Sequence, residues 1–212
     1  SGIVKIKELE DLKFNCQVGG ICKFDDLAIK NIFPRLNIPI ISRSSLILAT
    51  ACYEALKEST LLKTYDFDSE NDYDIIIGST IGPADTWGDK IIKFVNNGKH
   101  SRLGSFAFEQ IINSSPAAML SGILGTTGRV ISNSLACASS TEAIIEAANR
   151  IINENRDLIF AGGVEPYSKY YWATMDAMRI TNPNFNHNPE AASRPMSESA
   201  KGFIPAEGGA VI

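Results

Sequence analysis

A strand, a helix and a second strand follow one another around Cys137, and this order limits the possible folds more than any other feature of the chain. In the run Val130-Ile131-Ser132-Asn133-Ser134-Leu135-Ala136-Cys137-Ala138-Ser139, six strand-like residues lead into the cysteine and small residues flank it on both sides. Ile144, Ile145, Ala148, Ile151 and Ile152 recur at three- and four-residue intervals, predicting a helix of roughly 15 residues buried along that stripe. Glu142, Glu146, Asn149 and Arg150 would form its wet face, and Ser139-x-x-Glu142 fits a capping box near its start. Asp157-Leu158-Ile159-Phe160-Ala161-Gly162-Gly163 then reads as a buried strand ending in a tight turn, as does Tyr73-Asp74-Ile75-Ile76-Ile77-Gly78-Ser79-Thr80. A strand–helix–strand run of this length is the layout of a right-handed parallel crossover. The predicted fold class is therefore α/β, with a mixed, largely parallel sheet and covering helices. Residues 42–62 give a second strong helical pattern, with Leu46, Leu48, Ala49, Cys52 and Leu56 on its core face.

Cys137 itself admits two readings. At the start of a helix, backbone N–H groups and the positive end of the helix dipole favour negative charge on sulfur, which suits a nucleophile. A small cysteine among small residues is equally a core residue.

Composition narrows the function classes. The 212 residues are 44% hydrophobic, enough to bury one substantial core. The net charge is −4 and the basic residues are scattered, so no basic stripe points to nucleic acid or an anionic membrane. No apolar run is long enough to span a membrane, and the chain does not open on a signal peptide, which predicts a cytoplasmic protein. Cys16, Cys22, Cys52 and Cys137 lack the spacing of a zinc site or disulfide scaffold and are expected to be reduced.

Other candidate sites are weak. His100 follows the polar turn Asn96-Asn97-Gly98-Lys99, and His187 lies in the loop of residues 182–199, which carries three prolines; neither is assignable as a catalytic base. A loop that long without a pattern of its own is more often functional than idle. No metal-ligand cluster is visible, and Gly162-Gly163 and Gly208-Gly209 read as turns and close backbone packing, so neither a metal nor a nucleotide cofactor is indicated. The final residues rise into a strand-like pattern at Ala210-Val211-Ile212, where the sequence stops.

Taken in order, six segments resemble the β-ketoacyl-(acyl-carrier-protein) synthases, of the elongating, decarboxylating type. They are Ile77-Gly78-Ser79-Thr80-Ile81-Gly82, Ser134-Leu135-Ala136-Cys137-Ala138-Ser139, Phe160-Ala161-Gly162-Gly163-Val164-Glu165 and Met175-Asp176-Ala177-Met178-Arg179, followed by residues 188–195 and 202–209. The resemblance implies a thiolase-like layered αβα half, part of a five-layer αβαβα enzyme. It also implies that residues 1–212 are the cysteine-bearing N-terminal half of a ketosynthase domain. The family's first strand and helix, and its whole C-terminal half with the malonyl-decarboxylating histidines, are expected to lie outside this sequence.

On the same basis Cys137 is implied to be the acyl-accepting nucleophile of a Claisen condensation in fatty acid or polyketide synthesis. Ile81 and Met175 would line or gate the acyl pocket, and Phe106 or Phe108 would complete it from a neighbouring subunit. Lys99 and Arg102 would meet an acyl carrier protein bearing acyl and malonyl thioesters. A homodimer, or a heterodimer with a ketosynthase-like chain, follows from the same likeness. Two alternatives stand beside this. One is a non-catalytic, chain-length-factor-like partner subunit, which usually lacks the cysteine. The other is a thiolase or initiating synthase using coenzyme A thioesters.

Overall fold

The computed structural model describes residues 2–59, 61–63 and 71–212. In chain order its strands are β1 (Ile3–Lys5), β2 (Val18–Gly20), β3 (Asp74–Gly78), β4 (Val130–Asn133), β5 (Ile159–Glu165) and β6 (Gly208–Val211). The helices are α1 (Lys7–Asp11), α2 (Asp26–Ile32), α3 (Arg43–Glu58), α4 (Ala84–Thr86), α5 (Lys93–Asn96), α6 (Ser115–Leu124), α7 (Ser139–Glu154) and α8 (Lys169–Ala177). A π-helical turn, Trp87–Ile92, joins α4 to α5. The contacts separate into two units, Phe24–Pro166 with Gly209–Ile212, and Ser1–Lys23 with Tyr167–Gly208.

In the larger unit β3 is buried along its whole length and lies inside a four-stranded sheet ordered β4-β3-β5-β6. It runs parallel to β4, with Ile76 opposite Ile131, and parallel to β5, with Ile76 opposite Ala161. The predicted crossover from β4 to β5 is present, and it passes over β3 instead of joining adjacent strands. Ala161 and Ile212 exchange both backbone hydrogen bonds, at 3.1 and 2.9 Å, which is the antiparallel pattern and makes the sheet mixed.

Period-two alternation sends Ile75 and Ile77 to one face and Ile76 to the other. The first pair packs with Leu46, Leu48, Cys52 and Leu56 of α3 and with Leu120 and Leu124 of α6. Ile76 meets Ala161 and, from α7, Ala143 and Ala147. Helices on both faces explain why β3 reads as an unbroken apolar run, and each such fully buried aliphatic side chain is worth about 1.5–3 kcal/mol. The α3 stripe is as the sequence predicts, and Ser42 caps the helix by accepting from the Ser45 N–H at 3.2 Å. Burial pushes the Cys52 thiol up to about 12.

Three sequence-based expectations are corrected here. First, α7 is turned the other way: Ser139, Ala143, Ala147 and Arg150 are its buried residues, while Ile144, Ile145, Ala148, Ile151 and Ile152 are exposed. Arg150 is drawn inward by the buried Asp74 carboxylate, which it holds through Nη2 at 2.7 Å and Nε at 3.0 Å. The small residues face inward because the helix lies too close to the sheet for isoleucine. Second, the capping box does not form. Ala138 is the N-cap without a side-chain bond, and the Ser139 hydroxyl instead bonds back into the preceding turn. Third, Gly162-Gly163 and Gly208-Gly209 lie within β5 and β6 rather than in turns. A Cβ on Gly163 would stand 1.9 Å from Ser140 Oγ and 2.6 Å from the Gly78 carbonyl oxygen, so only glycine admits α7 here.

The smaller unit pairs β1 with β2 antiparallel. Its loop of residues 182–199 is less irregular than its sequence implies. Pro183–Phe185 and Pro189–Ala191 form short 3-10 turns, and Ala192 packs on Cys16 and Val18. On the same unit, Asp176 accepts from the backbone of Asn15 at 2.9 Å and of Cys16 at 3.0 Å. Desolvation raises the Asp176 pKa, but these bonds outweigh it and hold the carboxyl below its ordinary value.

Candidate functional site

β3, β4 and β5 are parallel, so their carboxyl ends share one edge of the sheet. The connection from β3 to β4 carries α6 on the face of Ile75 and Ile77, and that from β4 to β5 carries α7 on the opposite face. Connections that leave on opposite faces open a crevice at the strand ends, which is where open α/β sheets bind ligands. Cys137 lies there, between β4 and α7, and its side chain is exposed. The structure therefore rejects the core-residue reading of this cysteine.

The turn that presents Cys137 is strained and tightly tied. Ala136 has φ +50°, a left-handed conformation costing a non-glycine residue about 1–2 kcal/mol. Its carbonyl accepts from Ser139 Oγ at 2.6 Å and from Thr80 Oγ1 at 3.0 Å. Ser139 Oγ in turn accepts from the Leu135 N–H at 2.9 Å, and Ser134 Oγ donates to the Thr80 carbonyl at 3.1 Å. Ser139, only 2% exposed, thus serves as a brace for the turn before the helix.

Beside this turn the loop after β3 is also pinned. Gly82 has φ +54° and donates its N–H to Ser79 Oγ at 3.0 Å, while Asn113 Nδ2 donates to the Ser79 carbonyl at 3.3 Å. Ile81 is half-buried between these fixed points. The end of β5 contributes Glu165, whose Oε1 accepts from the Thr80 N–H and, at 3.5 Å, from Ser79 Oγ. Cys137 and Ile81 are therefore brought to one strand edge, linked through Thr80.

Phe106 and Phe108 are exposed, and Phe106 lines a cavity of about 500 Å³ with Ile38, Ile112 and Met119, whose walls include neither Cys137 nor Ile81. Lys99 and Arg102 are exposed, with Lys99 sharing a shallow depression with Lys90 and Lys93. Met175 is half-buried on α8 of the smaller unit. His100 and His187 are both exposed in turns. Among the described residues no group of three or more His, Cys, Asp or Glu is placed to hold a metal, and no helix is long and apolar enough to cross a membrane.

Sequence reasoning missed Thr80, Ser134, Ser139 and Glu165 as parts of this site. The available signal was Glu165, a carboxylate closing an otherwise apolar, glycine-bearing strand, where a buried charge needs a partner.

Fold and site together define a thiolase-like α/β layer with its cysteine at the sheet's carboxyl edge. The chain belongs to the β-ketoacyl synthase family, whose N-terminal domain is matched over residues 13–212. It is 29% identical over 212 residues to a 3-oxoacyl-[acyl-carrier-protein] synthase 1 of Buchnera aphidicola subsp. Schizaphis graminum, covering 100% of this chain and 51% of that relative. A β-ketoacyl synthase from Burkholderia phymatum shares the fold with a TM-score of 0.82 at 20% identity, over 99% of this chain and 50% of its own. A type II polyketide ketosynthase, solved with its acyl-carrier protein and bound to the hexaketide, aligns at TM-score 0.75 and 22% identity over 100% of this chain and 50% of its own. The chain thus spans about half the length of the curated relatives it matches.

Proposed function

We propose that this chain is the nucleophile-bearing half of a carrier-dependent condensing enzyme of fatty acid or polyketide synthesis. The Cys137 thiolate attacks the carbonyl of an acyl thioester, the new carbon–sulfur bond forms, and the carrier's thiolate leaves. The Cys137 backbone N–H is one donor to the oxyanion that develops on the way. A malonyl thioester then loses carbon dioxide, and the resulting carbanion attacks the acyl carbonyl. Cys137 is released, and the carrier holds a β-ketoacyl chain two carbons longer. The decarboxylating histidines belong, on this reading, to a C-terminal half that follows these residues.

The observation that carries the proposal is the placement of Cys137, exposed on a braced, left-handed turn at the carboxyl edge of a parallel sheet. The outward isoleucines of α7 support the five-layer expectation, because an apolar helix face of that size calls for another layer against it. Ile81 and Met175 are proposed to shape the acyl pocket, with Phe106 or Phe108 reaching that of a second subunit. Lys99 and Arg102 are proposed to meet an acidic carrier protein, in a cytoplasmic dimer. A chain-length-factor-like partner role is disfavoured by the retained cysteine.

Peptide mass spectrometry after brief exposure to a medium-chain acyl-carrier thioester tests the reading. One acyl group on Cys137, and none on Cys16, Cys22 or Cys52, is the expected result. A folded protein with no acyl group on Cys137 would defeat it.

A further inference from the structure

We propose that Glu165 is a positioning residue for Cys137, acting through Thr80 and Ala136 without touching the thiol. The proposal rests on Cys137 being the acylated nucleophile. Backbone pairing between β3 and β5 ends at Gly78 opposite Gly163. Two residues further along each strand, the Glu165 carboxylate takes over from the ladder, with Oε1 accepting the Thr80 N–H. The loop after β3 can therefore leave the sheet and still be tied to β5.

Thr80 passes that constraint on. Its hydroxyl donates to the Ala136 carbonyl at 3.0 Å, and its own carbonyl accepts from Ser134 Oγ at 3.1 Å, so two bonds clasp the turn on either side of Leu135. Ala136 is the strained residue, and a left-handed alanine persists only where its surroundings over-determine it. Glu165 is thus the far anchor of the clasp that aims the residue after Ala136.

The second carboxylate oxygen shows which property matters. Glu165 Oε2 is buried and has no hydrogen-bond partner among the described residues. The clasp uses one acceptor at full side-chain length, and the negative charge is not matched by any cation there. A glutamine keeps that acceptor and that length. An aspartate keeps the charge but is one methylene short of Thr80.

The test uses the protein with its natural flanking sequence, comparing Glu165→Gln, Glu165→Asp, Glu165→Ala and Thr80→Val. Two rates are measured at Cys137: acylation by an octanoyl-carrier thioester and alkylation by iodoacetamide. Misplacing a reacting atom on the ångström scale costs up to about 10²-fold, so Asp and Ala should lose about 10- to 100-fold in acylation while Gln stays within about threefold. Alkylation, which needs only an accessible thiol, should change by less than about threefold in all four. Glu165→Ala combined with Thr80→Val should be no worse than either alone, since both cut one chain of contacts.

A Glu165→Asp variant as fast as wild type, or a Glu165→Gln variant as slow as Ala, would overturn the proposal. If Ala fails to fold by circular dichroism, the Gln and Asp pair still decides it. Wild-type protein that is not acylated at Cys137 refutes the functional reading itself, and this proposal with it. Wild-type acylation with indifferent variants refutes only the role of Glu165.

Discussion

The two faces of the sheet around β3 are packed by different means. Against α3 and α6 the contact is made by long aliphatic side chains, Leu46, Leu48, Leu56, Leu120 and Leu124 on Ile75 and Ile77. Against α7 it is made by alanine, serine and glycine, with one buried ion pair at the far end. A layer of leucines supplies burial energy and can absorb small shifts by changing rotamers. A helix seated on glycines has no such freedom, so its position is fixed to the backbone, and with it the place where Cys137 stands. One face holds the fold together and the other sets the geometry of the site.

The comparison can be broken most severely at the far end of α7. Arg150→Ala leaves the Asp74 carboxylate buried without its closest cation and should cost about 3–5 kcal/mol in denaturant unfolding. A loss below about 1 kcal/mol would mean that Arg156, which reaches Asp74 at 3.2 Å, suffices as a partner. Next come two substitutions, one on each face. Leu48→Ala should cost about 3 kcal/mol through its cavity and leave Cys137 acylation nearly unchanged. Gly78→Ala drives a Cβ against the Ser139 backbone carbonyl, which has no rotamer with which to yield, and should cost a similar amount, about 3 kcal/mol, while slowing acylation the more of the two. Equal kinetic effects would erase the proposed division of labour.

A smaller effect is expected on the outer side of α7. Ile152 is 73% exposed, and Ile152→Gln should shift the stability of this chain by no more than about 0.5 kcal/mol. The smallest concerns acid. The folded carboxyl of Asp176 lies below its unfolded value, so its contribution is present above the unfolded pKa and is lost as pH falls through the folded one. Asp176→Asn should lower the melting temperature slightly near neutrality, where that contribution is present, and leave it nearly unchanged in acid, so that the acid limb of the profile flattens.

The legible part of this fold was the part written in large apolar side chains. β3 and α3, together with the strand–turn–helix around Cys137, followed from period and composition, because Ile75–Ile77 and the α3 leucines are buried where their spacing puts them. The facing of α7 did not, since a hydrophobic stripe shows that a helix has two sides and not which side meets the sheet. Its true inner side reads in sequence as Ser139, Ala143, Ala147 and Arg150, which scores as polar. The glycines of β5 looked like turns for the same reason, because a close approach between backbones leaves no side chain to read. Cys137 was visible as a candidate, whereas Thr80 and Glu165 were not, because their role depends on strand pairing that brings distant residues into line.

The π-helical turn at Trp87–Ile92 has a consequence for changes in chain length. Such a turn holds one residue more than an ordinary α-helical turn, as if a single residue had been slipped into a continuous helix between Ala84 and Asn96. Deleting one residue there would restore regular winding and keep both ends facing as they do now. The same deletion within α3 would rotate everything beyond it by about 100° and swing Leu56 off the core. A single-residue deletion should therefore be tolerated in this short segment and rejected in the long helix behind the sheet.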